Sequence, residues 1–190
     1  MRILLVSLVI GLLFGTALNA ADAKPRVRLE TSKGVIVIEL EAGKAPVTVA
    51  NFVDYVRSGY YDGMIFHRVI KGFMIQGGGV NANFAPKATR PPIKNEAGNG
   101  LSNLRGTIAM ARTGEVNSAT GQFFINLVDN IGLDHRNETA EGFGYCVFGR
   151  VAQGMETVDA IAAIPTGPAG PFAKDVPKET VTIVKATVLE

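Results

Sequence analysis

The chain has 190 residues, enough for one domain with a sizeable core, and its 19 Lys plus Arg nearly balance 17 Asp plus Glu. With no basic run, that balance argues against a dedicated nucleic-acid binder. A single cysteine, Cys146, excludes an intrachain disulfide; two histidines, His67 and His135, make no metal-ligand set; and 22 glycines favour a turn-rich β architecture.

Arg2, an apolar run over residues 3–14 and small residues from Gly15 onward follow the order of a secretory signal peptide. The run is too short for a comfortable membrane span. Residues 1–20 are therefore expected to be removed, with cleavage after Ala23 equally compatible. The mature protein is expected to be exported, without a stable membrane anchor, and residues 24–190 to form one domain. Val27 and Leu29 alternate with Arg28 and Glu30, which predicts a half-buried strand. Residues 31–34 supply a turn and 35–40 the returning strand. Pro46 suits a first helical position, Val49, Phe52, Val53 and Val56 fall at helical spacing, and Gly59 suits a stop.

Residues 65–79 read Ile-Phe-His-Arg-Val-Ile-Lys-Gly-Phe-Met-Ile-Gln-Gly-Gly-Gly. Two apolar, strand-like runs flank Lys71-Gly72, with Arg68 and Gln76 set among hydrophobic neighbours. A guanidinium over an apolar surface is costly unless something accepts its hydrogen bonds. The residues alone leave a structural ion pair open. The triple glycine lacks a following Lys-Ser/Thr pair, which argues against a phosphate-binding loop.

Residues 80–106, with Pro86, Pro91 and Pro92, predict a long irregular section. Asn81 and Asn83 fit loop solvation. Short strands are predicted over 107–111, 121–128 and 145–151. Met155, Val158, Ile161 and Ala162 describe a second helix stopped at Pro165, and 181–189 is a final β-branched run. If Tyr145 faces one side of its strand, Cys146 faces the other and is a buried free thiol. Asn137-Glu138-Thr139 fits a glycosylation pattern but reads as a polar loop.

The pattern F-H-R-x-I-x-G-F-M-x-Q-G-G resembles the core motif of the cyclophilins, the cyclophilin-type peptidyl-prolyl isomerases. Gly-Thr-Ile-Ala-Met-Ala-Arg at 106–112, Gly-Gln-Phe-Phe-Ile-Asn at 121–126 and Phe-Gly-Tyr-Cys-Val-Phe-Gly-Arg-Val at 143–151 extend the resemblance. So does Pro-Pro-Ile-Lys-Asn-Glu at 91–96, which is similar to the exported bacterial members and implies a periplasmic location. The resemblance implies a mainly β fold, a closed eight-stranded antiparallel barrel capped by two helices. It also implies Arg68, Gln76 and Phe73 as catalytic residues. Met74, Ala111, Gln122, Phe124, Leu133 and Tyr145 are the implied substrate-binding residues. Strand parity puts Gln122 with Phe124, and Met74 with Gln76, on common faces. Phe73 breaks that parity and must sit where a strand begins or bends.

The implied reaction is rotation about an X–Pro peptide bond, whose barrier is roughly 18–20 kcal/mol because amide resonance must be broken. It needs no nucleophile, metal or cofactor, and His67 is expected to make a structural hydrogen bond. The implied partners are proline-containing peptides and exported proteins that are unfolded or still folding, met by a monomer. One position departs from the pattern: Gly132 stands where many cyclophilins carry Trp, so weak cyclosporin inhibition is expected unless Ile131 fills the wall. A proline-peptide-binding chaperone or adaptor is the alternative reading, and a purely structural β-barrel a third.

Overall fold

The computed structural model describes residues 24–189, so the signal segment expected at the N-terminus lies outside the described residues. Strand β1 (Arg26–Thr31) buries Val27 and Leu29 and turns through Ser32-Lys33 into β2 (Gly34–Leu40). Helix α1 (Pro46–Arg57) buries Val49, Phe52, Val53 and Val56, the face read from spacing. Its end is set by Gly59 in the left-handed region (φ 68°), with Gly59 N–H donating to Val56 O and Tyr60 N–H to Tyr55 O. That pairing satisfies carbonyls the helix would otherwise leave open.

The start of α1 is capped from far along the chain. Ala45 offers no capping side chain, and Glu96 of the Pro-Pro-Ile-Lys-Asn-Glu loop takes its place. Its carboxylate accepts from Val47 N (3.2 Å), Thr48 N (2.8 Å) and Thr48 Oγ1 (2.7 Å). A negative charge at a helix N-terminus is doubly favourable, satisfying bare N–H groups and meeting the positive end of the dipole.

Strands β3 (Met64–Ile70) and β4 (Met74–Asn81) form a hairpin, followed by β5 (Thr107–Met110), β6 (Phe123–Asn126), β7 (Val147–Gln153) and helix α2 (Met155–Ala162). The triple glycine serves close strand approach: Gly78 takes φ 78°, and a Cβ there would stand 2.9 Å from the Gly121 carbonyl oxygen. Strands β8 (Thr166–Ala169) and β9 (Phe172–Pro177) pair as a hairpin not anticipated from the sequence, and β10 (Ile183–Leu189) returns to β1.

The eight-stranded sheet runs β10-β1-β2-β7-β5-β6-β4-β3. The barrel expected to be closed is an open, curled half-barrel. Its edge strands β3 and β10 share no ladder: an isolated bridge, Ile65 to Thr182, and the bonds Gly63 N to Ile183 O and Phe66 N to Val181 O mark the seam. Only the first half of β3 meets the chain entering β10, because the β8–β9 hairpin lies over the second half. That hairpin shelters the edge which closure was expected to remove.

Inside the curl, Phe52, Tyr61, Phe66, Phe123 and Phe148 pack edge-on or tilted around one centre. Cys146 lies in this core as a free, buried thiol, its pKa pushed up to about 11 by burial. A second, smaller apolar cluster occupies the other face of the sheet: Met74, Ala109, Phe124 and Val147.

Candidate active site

The second cluster is the floor of a groove, and strand register builds it. Arg68 pairs with Gln76, Gln76 with Phe124, and Phe124 with Ala109, so these four follow one another across β3, β4, β6 and β5. Side chains two apart share a face, which adds Met74 beside Gln76. Above this floor is a cavity of about 170 Å³. Eight of the nine residues singled out from the sequence line it: Arg68, Phe73, Met74, Gln76, Ala111, Phe124, Leu133 and Tyr145.

Gln122 is the ninth, and it stands one step back. Its Oε1 accepts from Gln76 Nε2 at 3.0 Å, while Gln76 Oε1 accepts from Arg68 Nη1 at 3.3 Å. The result is a polar rail, Arg68 to Gln76 to Gln122, along one side of the apolar floor. Phe73 is the last residue of the turn between β3 and β4. Its N–H donates to Ile70 O (3.0 Å), with Gly72 at φ 71° making the reversal possible.

The opposite wall comes from loops. Leu133 closes the short 3-10 turn Ile131–Leu133 and accepts the Tyr145 N–H at 2.9 Å. Tyr145 meets Phe124 edge-on, with ring centroids 5.7 Å apart. A network of Asn side chains fixes this wall to the turn carrying Phe73. Asn130 Nδ2 donates to Phe73 O (2.9 Å) and Asn126 Oδ1 (2.8 Å), Asn126 Nδ2 donates to Asn103 Oδ1 (3.2 Å), and Asn103 donates to Asp134 Oδ1. Buried amides are tolerated only when paired, and here each partner holds a piece of the groove.

One lining residue was missed from the sequence. Arg112 packs its guanidinium over the Tyr145 ring at 5.0 Å and donates to Gly144 O, Thr113 O, Gly114 O and Ala140 O at 2.7–3.3 Å. It ties together the loops on either side of Tyr145. It ends the quoted stretch 106–112, so the motif contained it, but nothing local to the sequence marks an Arg whose acceptors include the remote carbonyls of Ala140 and Gly144.

His67 is held chiefly by packing rather than by the structural hydrogen bond expected of it. Its ring is buried, it lies beside Phe172 with centroids 5.5 Å apart, and its Nδ1 has no hydrogen-bond partner among the described residues. Burial holds its pKa below the ordinary value, against an opposing interaction with the Ile65 backbone, and the neighbouring Arg68 charge adds to the lowering. The residue is packed as a ring, because the hairpin carrying Phe172 covers it. At the departure from the family pattern, Ile131 is 66% exposed and takes no part in the wall. A Cβ on Gly132 would meet nothing within 4 Å. That side of the groove is open.

Comparison with known proteins shows the family. Residues 26–188 match the family described as cyclophilin type peptidyl-prolyl cis-trans isomerase/CLD. The chain is 56% identical over 164 residues to peptidyl-prolyl cis-trans isomerase B of Escherichia coli K12, covering 86% of this chain and 99% of that protein. It is 54% identical over 171 residues to peptidyl-prolyl cis-trans isomerase A of Dickeya dadantii, covering 90% and 88%. A crystal structure of a Cryptosporidium parvum cyclophilin type peptidyl-prolyl cis-trans isomerase in the presence of the dipeptide Ala-Pro superposes with a TM-score of 0.69 at 26% identity, covering 87% of this chain and 99% of that one. This chain belongs to the cyclophilin-type peptidyl-prolyl cis-trans isomerases, and is an isomerase of X–Pro peptide bonds.

Proposed function

We propose that the groove accelerates X–Pro rotation by holding the proline ring on its apolar floor while Arg68 favours the twisted amide. The observation that carries this is the juxtaposition of the Arg68 guanidinium with the apolar floor of Met74 and Phe124 in one groove, around a cavity of about 170 Å³. As the amide twists, the prolyl nitrogen pyramidalises and recovers a lone pair. A guanidinium N–H binds that lone pair better than the conjugated ground state, and such differential binding is what lowers a barrier. Met74, Phe124, Leu133 and Phe73 receive the ring. Gln76 keeps one lone pair and one N–H beyond its bonds to Arg68 and Gln122, and these hold the substrate backbone while one side rotates. The neighbour crystallised with Ala-Pro supports proline-containing peptides as ligands.

Arg68→Ala should cut exchange by roughly 100- to 1000-fold, the usual effect of losing one preorganised donor, with peptide affinity little changed. Arg68→Lys should restore only part, because a flexible ammonium lacks the planar fork. A protease-free exchange assay on a short X–Pro peptide, with a melting curve for each variant, reads both. A well-folded Arg68→Ala protein exchanging at the normal rate would defeat the mechanism. The clients are exported proteins met during folding in the periplasm, a reading supported by Arg2 and the apolar run 3–14. N-terminal sequencing beginning near Ala21 or Lys24 would agree with it; a soluble cytoplasmic pool retaining Met1 would not.

A further inference from the structure

The β8–β9 hairpin faces two consecutive residues of β3. Phe172 lies beside His67, and the Asp175 carboxylate stands 3.9 Å from Arg68 Nε. Asp175 also adopts φ 67°, a left-handed conformation uncommon for any residue but glycine, though better tolerated by Asp and Asn. Backbone outliers of this kind persist where the surrounding structure holds them, often beside functional groups. The Asp175 side chain is 21% exposed against 44% for Arg68, so the carboxylate is the more enclosed of the two. The guanidinium is thereby held from two sides, with Gln76 Oε1 on Nη1 and the Asp175 charge toward Nε. Asp175 is not among the residues lining the cavity.

We infer that Asp175 is a positioning residue that sets the direction of the Arg68 guanidinium over the groove without touching substrate. The inference rests on the role proposed for Arg68. At 3.9 Å the contact is an ion-pair attraction and not a hydrogen bond, so it biases the long side chain without consuming an N–H. Two effects oppose each other: the carboxylate orients the cation but also offsets part of its charge. Orientation outweighs the offset, because even a small misplacement of a catalytic group is costly.

Asp175→Asn keeps the shape and the tolerance of positive φ while removing the charge, and Asp175→Gly also relaxes the backbone. Both should lower kcat by about 2- to 10-fold, with KM and melting temperature nearly unchanged. Added salt should bring the wild-type kcat toward that of Asp175→Asn. In an Arg68→Ala background, Asp175→Asn should have no further effect. Wild-type or raised kcat in Asp175→Asn would overturn the inference, as would an equal loss in both backgrounds. The two readings fail separately. Slow exchange in Arg68→Ala beside normal exchange in Asp175→Asn removes only the role of Asp175. Normal exchange in Arg68→Ala removes the role of Arg68, and that of Asp175 with it.

Discussion

The outer face of the sheet has two halves, made by the same strand alternation, that end in different states. Across β1, β2 and β7 it carries charge: Glu39 accepts from Arg26 at 3.2 Å and from Arg150 at 2.9 Å, each its register partner. Across β5, β6 and β4 it carries Ala109, Phe124 and Met74, each less than 5% exposed. The first half is a solvated sheet face, where the arginines are exposed and the pairs they make with Glu39 contribute modestly to stability. The second would be costly if wet, at about 25 cal/mol for each Å² of apolar surface. Phe73, Leu133 and Tyr145, all from turns and loops, cover it without filling it. The pleat decides which face a side chain joins; the loops decide whether that face becomes a site.

The largest effects should separate the groove from the interior behind it. Phe123 and Phe124 are neighbours in β6, one in the core and one on the groove floor. Phe123→Ala should cost about 3–5 kcal/mol of stability through the void it leaves. Phe124→Ala should cost less, since water and loop atoms can enter an open groove, while kcat/KM falls by about 10-fold or more for want of a proline platform. Melting curves beside exchange kinetics decide the matter. Equal stability losses with intact kinetics in Phe124→Ala would merge the two faces into one core.

A smaller effect should mark the loop wall. Arg112→Ala frees four carbonyls and the Tyr145 ring, so KM should rise about 3- to 10-fold and stability fall by about 1–3 kcal/mol. Arg112→Lys should not restore KM, because three ammonium donors cannot reproduce the fork. Unchanged KM in Arg112→Ala would show that Tyr145 holds its place alone.

The finest difference is in pH. His67 has a pKa below its ordinary 6.5 because it is buried, so the unfolded chain takes up a proton before the folded one. Its contribution is therefore whole above pH 6.5 and is lost as pH falls from there through the folded value. Glu39 is lowered from 4.5 chiefly by the Arg150 hydrogen bond, although its own burial opposes this. Its contribution is whole above pH 4.5 and is lost as pH falls through the lower folded value. Melting temperature against pH should thus decline in two windows. His67→Leu should flatten the upper one and Glu39→Gln the lower. A curve unaltered by both substitutions would mean that neither group is linked to folding.

Local pattern settled much of this molecule in advance. Val27 and Leu29 declare a strand with one buried face, and Val49 to Val56 a helix with one apolar stripe, because period and side-chain chemistry are properties of neighbouring residues. Phe73 is different: parity alone would turn it away from Met74 and Gln76, and only the family resemblance, by setting it in the groove, required it to sit at the turn. The long motif spanning 65–79 carried the family, and with it most of the groove.

What the sequence could not hold was every contact between residues far apart in it. Glu96 caps a helix 48 residues earlier, Arg112 finds the carbonyl of Ala140, and Asn130 reaches back to Phe73. The β8–β9 hairpin, with Pro168 and two glycines in its short span, has no alternation to announce it, and its packing on β3 is known only once both are folded. That packing opens the seam expected to close, buries His67 without a partner for Nδ1, and sets Asp175 beside Arg68. Periodicity is a local property of the chain, whereas seams, caps and ion pairs are properties of distances that only the folded chain defines.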